Sequence, residues 1–289
     1  MNVLNRRKFI STGVAGLTGA SVLLPKLLGA EPVVKGMKEI GFQSWVVREE
    51  IGKDLTGTLK KMAGLGFNSF ELCSPPGYAT TGFGPLQNMS ASQLKSAIHD
   101  AGFSCISCHY GFSELKDHTQ ERIDFAKGLG LKQMVVSSFG LPKDATLDDW
   151  KKAVDDTNKI GETVRKSGLQ LGYHNHNGEF EKLDGHLIYD VLLDRFDPAL
   201  VKMQFQVWVV SIGYKAADYF RKYPGRFISA HLYDWTGKDQ EMAPLGKGVV
   251  DWDEFFAAAK VGGVKNYFAE MDLPYLKESA QFLKERKNV

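Results

Sequence analysis

Short apolar runs alternate with longer amphipathic stretches from residue 40 to the end of the chain. The apolar runs have the length and composition of buried strands, and the longer stretches repeat their apolar residues at helical spacing. The runs predict eight strands, over residues 40–46, 69–72, 103–107, 133–137, 169–173, 201–207, 227–232 and 267–271. The amphipathic stretches predict eight helices, over residues 55–65, 90–101, 119–129, 146–167, 187–196, 216–223, 251–261 and 275–287.

Strict alternation of strands and helices favours one fold class. Parallel strands need long crossover connections, and a helix between each pair of strands provides them. Eight such units fit a closed (β/α)8 TIM barrel, which we predict as a single domain over residues 36–289. A doubly wound open sheet is the alternative, but no G-x-G-x-x-G motif follows the first strand.

The first thirty residues differ in character from the rest of the chain. Arg6, Arg7 and Lys8 precede a weakly apolar stretch over residues 10–24, and the small residue Ala30 offers a cleavage site. This layout is typical of a twin-arginine export signal, so we predict that residues 1–30 are removed and that the protein is periplasmic. The apolar stretch is short and glycine-rich for a membrane span, so we expect no stable membrane association after cleavage.

The charge balance excludes one class of partner. The formal net charge is +2, and removal of Arg6, Arg7, Lys8 and Lys26 with the signal changes it to −2. The positive charge therefore belongs to the signal, and the remaining surface lacks the basic footprint of a nucleic-acid-binding protein. The sequence leaves the oligomeric state open.

Two histidines stand where the fifth predicted strand ends. In the segment GYHNHNGEF (172–180), His174 and His176 are two residues apart, so both side chains leave the strand on one face. Two imidazoles at a strand end can bind a divalent metal ion or transfer a proton. Hydrogen-bonded loop histidines are the alternative.

Other polar residues occupy equivalent positions. In a TIM barrel the function lies at the carboxyl ends of the strands, where the loops to the helices begin. Acidic, amide and imidazole side chains end six of the predicted strands: Glu71, His109, His174 with His176, Gln206, His231 and Glu270. Such residues are rarely buried without a partner, and their placement on one rim predicts a metal-centred or acid/base site.

Several segments together resemble a known family. The chain is similar to the sugar phosphate isomerase/epimerase group of xylose isomerase-like barrels over essentially all of residues 36–289. The resemblance is carried by GFNSFE (66–71), GYHNH (172–176), GRFISAHLYD (225–234), GKGVVDW (246–252) and FAEMD (268–272). It implies an enzyme that acts on a small-molecule carbohydrate.

The resemblance also implies one divalent metal ion with ligands from strands five to eight. His231 and Glu270 match the last two ligands, and His174 falls where many relatives have a glutamate, with His176 beside it. Gln206 replaces the aspartate that is usual on the sixth strand, and an amide oxygen can ligate a metal but adds no charge. The implied ion is Mn²⁺, Zn²⁺, Co²⁺ or Mg²⁺.

Metal-assisted proton transfer is the chemistry that this resemblance implies. An ion that polarises a carbonyl acidifies the neighbouring C–H, and a base then removes the proton to give an enediolate. The candidate proton-transfer residues are Glu270, Glu179 and Glu71, with His109 as a helper. We expect an isomerase or epimerase. The alternatives are a hydratase or lyase acting on a keto-sugar or keto-glycoside, and a barrel that binds sugar without turning it over.

Aromatic and cationic residues near the rim are candidates for substrate binding. Trp45, Trp208 and Tyr233 could stack on a sugar ring, and Arg226 and Lys247 could hold an anionic group. No glycine-rich phosphate-binding loop is evident, and sugar phosphates are chiefly cytosolic. A free or oxidised sugar is therefore the expected substrate.

Overall fold

The computed structural model describes residues 37–239 and 241–286, and eight parallel strands in this part of the chain close into a barrel. The strands are β1 (Gly41–Gln43), β2 (Ser69–Cys73), β3 (Ser104–Tyr110), β4 (Gln133–Val136), β5 (Gln170–His174), β6 (Val201–Gln206), β7 (Phe227–Leu232) and β8 (Asn266–Ala269). Each strand pairs with the strands before and after it, and β8 pairs with β1. The predicted (β/α)8 barrel is confirmed.

Helices connect the strands on the outside of the barrel. They are α1 (Arg48–Ile51), α2 (Leu55–Leu65), α3 (Ala91–Asp100), α4 (Phe112–Leu129), α5 (Leu147–Lys166), α6 (Ile188–Arg195), α7 (Ala216–Lys222), α8 (Trp252–Gly262) and α9 (Leu273–Glu285). Two hairpins in the rim loops were not predicted, Lys182–Leu183 with His186–Leu187 and Asp234–Trp235 with Met242–Ala243. Within the described residues, none of the helices is both apolar enough and long enough to cross a membrane.

Strand ends differ most from the prediction. The first strand stops at Gln43 because the Gln43 side chain accepts a hydrogen bond from the Trp45 amide at 2.7 Å and turns the chain into a 3-10 helix. The third strand instead runs past the predicted end at Ser107, since Cys108 and His109 still pair with β4. Helix α4 begins seven residues earlier than predicted, with a kink at His118.

The barrel separates apolar from polar side chains by strand alternation. On β6, Met203 and Phe205 face the helices, whereas Gln204 and Gln206 face the barrel interior. Phe205 lies 5.6 Å from Phe220 in the outer layer. The hydrophobic core is therefore the shell between strands and helices, and the barrel interior is free to carry polar chemistry.

The predicted export signal, residues 1–30, lies outside the described residues and stays a prediction.

Candidate active site

Glu71 is the centre of a buried polar network inside the barrel. Its side chain has no exposed surface, and its Oε2 atom lies 2.6 Å from His231 Nε2 and 3.0 Å from His109 Nε2. Its Oε1 atom accepts hydrogen bonds from Ser107 Oγ at 2.5 Å and Gln204 Nε2 at 2.8 Å. Strand β2 pairs with neither β6 nor β7, so these bonds cross the barrel and fix several strands to one carboxylate.

Gln204 completes the network from the opposite wall. Its Nε2 atom also donates to Ser229 Oγ at 2.9 Å, and its Oε1 atom lies 2.6 Å from His109 Nε2. The two atoms near His109 Nε2, Gln204 Oε1 and Glu71 Oε2, are both hydrogen-bond acceptors, so that nitrogen carries the proton. The other ring nitrogen of His109, Nδ1, has no hydrogen-bond partner among the described residues and remains a free donor atom for a ligand.

His231 is held between two carboxylates. Its Nε2 atom donates to Glu71 and its Nδ1 atom lies 3.0 Å from Glu270 Oε2. Burial alone lowers the pKa of His231, but Glu270 and Glu71 outweigh it and raise the pKa to about 9. Burial alone raises the pKa of Glu71, but His109 and His231 hold it well below the usual value. Without a bound metal, His231 is therefore a buried imidazolium.

His174 is uncharged. Burial first, and then the neighbouring histidines, lower the pKa of His174 well below its usual value. Its ring centre lies 4.4 Å from that of His231 and 5.0 Å from that of His109. Its Nδ1 atom is buried and has no hydrogen-bond partner. A buried polar atom without a partner is costly unless a ligand satisfies it.

The ion pairs of His231 predict how stability depends on pH in the metal-free protein. The folded-state pKa of about 9 exceeds the ordinary 6.5, so the stabilisation is fully present below pH 6.5 and is lost as the pH rises through 9. The loss is about 3 kcal/mol of unfolding free energy. Urea denaturation in chelator at several pH values measures it, with His231→Gln as the control. A loss of the same size in this variant would contradict the assignment.

The side chains that surround His174 fit a metal ion. His109, His174 and His231 can each offer one ligand atom, and these atoms lie within 4.8 Å of one another. The partnerless Nδ1 atoms of His109 and His174 are available, and His231 can bind through Nδ1 once the proton that it shares with Glu270 is lost. Glu71 accepts from the Nε2 atoms of His109 and His231 and orients both rings, as carboxylates behind metal-binding histidines do. Imidazole ligands suit Zn²⁺, Mn²⁺ or Co²⁺, whereas Mg²⁺ prefers oxygen ligands.

Two adjoining cavities open above the histidines. The inner cavity has a volume of about 270 Å³ and is lined by Gln43, Trp45, Cys73, Tyr78, His109, Ser137, Ser138, His174, His176 and Glu270. The outer cavity has a volume of about 820 Å³ and is lined by Trp45, Val46, Arg48, Glu49, His176, Gln206, Trp208, Met242, Glu270, Met271, Asp272, Leu273, Pro274 and Tyr275. Trp45, His176 and Glu270 line both cavities and form their shared wall.

Among the carboxylates of the network, Glu270 is the one that lines both cavities. It follows β8 directly, its side chain is 21% exposed, and Gln206 and His231 both donate to its Oε2 atom. Burial alone raises the pKa of Glu270, but His231 outweighs it and the pKa falls to about 2. Glu270 is thus an ionised acceptor that a molecule in either cavity can touch.

Several residues predicted to belong to the site lie close to the histidines without joining the three-histidine group. His176 is exposed and its ring centre is 4.8 Å from that of His174. Gln206 is almost fully buried. Its side-chain nitrogen donates a hydrogen bond to Glu270, whereas the prediction had its side-chain oxygen as a metal ligand. Trp45 and Trp208 line the cavities, and their role in substrate binding stays a prediction.

Four other predicted site residues line neither cavity. The Glu179 carboxylate is buried on the Tyr173 hydroxyl at 2.6 Å and the His176 amide at 2.9 Å, and it lines neither cavity. Tyr233 is fully buried behind Trp208. Arg226 precedes β7 and donates to carbonyls of α6 and its C-cap at the opposite end of the barrel, where it cannot meet a substrate at the rim. Lys247 is exposed and lines neither cavity.

Four polar residues of the network were not predicted from the sequence: Gln43, Ser107, Gln204 and Ser229. The signal was present, since three of them precede a predicted site residue by two positions and therefore share its face. Gln204 precedes Gln206, Ser107 precedes His109, and Ser229 precedes His231. The predicted site contained only the last polar residue of each strand, whereas the network also includes the layer of side chains beneath it.

Comparisons with known proteins agree with this architecture. A family model described as xylose isomerase-like TIM barrel matches residues 59–286. Among curated proteins, the chain is similar to inosose dehydratase from Clostridium perfringens, with 23% identity over 273 residues that cover 77% of this chain and 91% of the relative. The predicted resemblance is confirmed at the level of the family.

Solved structures show the same fold. A sugar phosphate isomerase/epimerase from Parabacteroides distasonis superposes with a TM-score of 0.73 and 24% identity, over 90% of this chain and 98% of that one. A probable 3-DHS dehydratase from Bacillus anthracis superposes with a TM-score of 0.64 and 12% identity, over 86% and 100% of the two chains. At these identities the likeness is one of fold alone.

Proposed function

Since the chain belongs to the xylose isomerase-like TIM barrel family, we propose that it is a lyase that acts on an oxidised, unphosphorylated sugar or cyclitol. It removes a proton from the carbon next to a carbonyl and expels the oxygen substituent on the following carbon. Loss of water in this way is dehydration, and the curated relative is named for such a reaction.

One observation carries this choice over epimerisation. Glu270 is the network carboxylate that lines the cavities, whereas Glu71 is sealed beneath the imidazoles and Glu179 is held by Tyr173. Epimerisation through an enediolate needs acid/base groups on two faces of the substrate. Elimination needs one base for the C–H and one acid for the departing oxygen, which a single accessible carboxylate and an imidazole can provide.

The residues divide these tasks according to their positions. Glu270 accepts the proton because it is the carboxylate of the network that lines both cavities. His176, an exposed imidazole on the same shared wall, donates a proton to the departing oxygen. Glu71 touches no substrate and acts as a positioning residue for His109 and His231.

We further propose that His109, His174 and His231 hold one divalent transition-metal ion, Zn²⁺, Mn²⁺ or Co²⁺. When bound, such an ion polarises the substrate carbonyl and acidifies the adjacent C–H. The proposal is supported by the partnerless Nδ1 of His174 and by the carboxylate that backs the other two rings.

Replacement of His174 tests this metal site. We expect His174→Ala to lose the ion, because it removes one of three ligands and disturbs no hydrogen bond of its Nδ1 atom. Elemental analysis of the purified protein measures the metal content per chain. His176→Ala is the matched control and retains the ion, since His176 lies outside the three-histidine group. Retention by the first variant and loss by the second would contradict the assignment.

Epimerisation or isomerisation is the second candidate. His176 lines both cavities together with Glu270, and an imidazole can return the proton to the second face of the substrate. The sugar phosphate isomerase/epimerase from Parabacteroides distasonis shares the fold. In that case the product has the same mass as the substrate and an altered stereocentre or carbonyl position.

We also propose that the protein works in the periplasm. The paired residues Arg6 and Arg7 before a weakly apolar stretch support export. Such a location suits an unphosphorylated substrate. Fractionation of cells that express the full chain tests this proposal, with Arg6→Lys combined with Arg7→Lys as the export-deficient control.

Product analysis tests the reaction class. The metal-loaded protein is incubated with an inosose and with glucose oxidised at C3, and the products are measured by mass spectrometry. Loss of one water molecule supports elimination, because the enol that forms tautomerises to a dicarbonyl compound. A product of unchanged mass with an inverted centre would establish the second candidate instead. Recovery of both compounds unchanged would contradict enzymatic turnover of this substrate class.

A further inference from the structure

The two cavities above the histidines differ in size and in chemistry. The inner cavity, about 270 Å³, contains the imidazoles and the serines, and it falls below the range of about 300–1,000 Å³ usual for drug-sized ligands. It therefore has room for one small polyhydroxylated ring. The outer cavity, about 820 Å³, lies well within that range and lacks the three-histidine group.

The outer cavity has aromatic walls that are already fixed in place. The Trp208 ring stacks on the buried Tyr233 ring, with centres 4.5 Å apart and planes inclined by 14°. The Trp45 ring packs edge-on against Tyr78 at 5.9 Å, and the Arg48 guanidinium lies 4.6 Å from its centre. Rigid, partly exposed aromatic rings favour a ring-shaped ligand, because little side-chain freedom is lost on binding.

Charge in the outer cavity disfavours an anionic ligand. The Arg48 guanidinium donates a hydrogen bond to the Trp45 carbonyl at 3.0 Å, and its Nε atom lies 3.8 Å from Glu49 Oε1. Asp272 and Glu270 add further negative charge to the wall. A phosphate group in this cavity would face the carboxylates of Glu49, Glu270 and Asp272, which disfavours an anionic second group and favours an uncharged ring.

The wall shared by the two cavities carries the residues that we assign to proton transfer. Glu270 and His176 line both cavities. A molecule that spans the two cavities therefore presents the bond between its two halves to the base and the acid.

We propose that the substrate is a keto-glycoside with two rings, whose oxidised sugar occupies the inner cavity and whose second ring lies between Trp45 and Trp208. This inference rests on the proposed elimination. Glu270 takes the C2 proton next to a C3 carbonyl, and the electron pair forms the C1–C2 double bond. The C1–O bond breaks, and the departing oxygen takes a proton from His176. The products are an unsaturated keto-sugar and a free alcohol, with no change of oxidation state overall.

Binding measurements separate this inference from the proposed function. Glu270→Gln is titrated by calorimetry with phenyl glucoside oxidised at C3 and with glucose oxidised at C3, so that chemistry does not intervene. We expect the two-ring compound to bind about tenfold more tightly, as one aromatic stack provides. Adding Trp208→Ala brings the ratio of the two affinities toward one. Trp150→Phe, a tryptophan that lines neither cavity, is the matched control and keeps the ratio.

The binding and release measurements test the two-ring ligand and the cleaved bond separately. Equal affinity for the two compounds, or a ratio that Trp208→Ala does not change, overturns the two-ring substrate even where the protein dehydrates oxidised glucose. A clear preference in binding, with phenol released by the metal-loaded parent protein, supports the whole inference. A preference without release of phenol supports the two-ring ligand, overturns the cleaved bond, and leaves the reaction class to be decided with one-ring compounds.

Discussion

Replacing Glu270 by glutamine lowers the turnover number by a factor of about 10²–10⁴, the contribution typical of a general base. Glutamine keeps the size of the side chain and can still meet Gln206 and His231, but it cannot accept the substrate proton. We expect KM to change far less than kcat, because the loss falls on the transition state. Steady-state kinetics with an oxidised sugar, measured at equal metal loading, checks this.

Glu179→Gln is the matched control for that variant. The Glu179 carboxylate accepts from the Tyr173 hydroxyl and from the His176 amide, so its replacement costs about 1–3 kcal/mol of stability. Because it lines neither cavity, turnover falls by less than about tenfold. A larger loss of turnover in Glu179→Gln than in Glu270→Gln would reverse the assignment of the base.

Replacing Glu71 by glutamine has the largest expected effect on the fold and on metal binding together. The variant leaves His231, a buried imidazolium, without one of its two counter-charges, and such a loss typically costs about 3–5 kcal/mol. It also weakens the support of the His109 and His231 rings, which lowers metal affinity by about 10–100-fold. Urea denaturation in chelator and competitive metal titration measure the two effects separately.

Glu114→Gln controls for the general cost of removing a buried carboxylate. The Glu114 side chain is 8% exposed, accepts from Arg122 Nε at 2.7 Å and from Ser74 Oγ at 2.5 Å, and lies outside the histidine network. We expect this variant to lose stability and to bind the metal like the parent protein. If Glu71→Gln also bound the metal like the parent, its role as a positioning carboxylate would be wrong.

The fold could be predicted from the sequence because two independent patterns agreed. Apolar runs predicted the strands and amphipathic stretches predicted the helices, and their alternation admits few topologies. The ends of elements were harder, since local side-chain contacts set them. Gln43 ends β1 by accepting from the Trp45 amide, a contact that hydrophobic periodicity does not record.

The site could be predicted as a set of rim positions but not as a set of roles. Strand ends brought His109, His174, His231 and Glu270 together as expected. Whether a carboxylate opens to the cavity depends on its depth, and Glu71 is buried because β2 continues two residues beyond it. Such depth depends on how strands are staggered around the barrel, which a single sequence does not specify.

Deuterium exchange tests the central claim most directly, because removal of the proton next to the carbonyl is the step on which the proposed activity depends. The metal-loaded protein is mixed in D₂O with glucose oxidised at C3 and, separately, with its phenyl glycoside, and the C2 proton signal is followed by NMR. We expect this signal to disappear with the parent protein and to persist at the buffer rate with Glu270→Gln. Persistence of the signal with the parent protein, while calorimetry shows the compound bound, would contradict proton transfer and leave a barrel that only binds sugar.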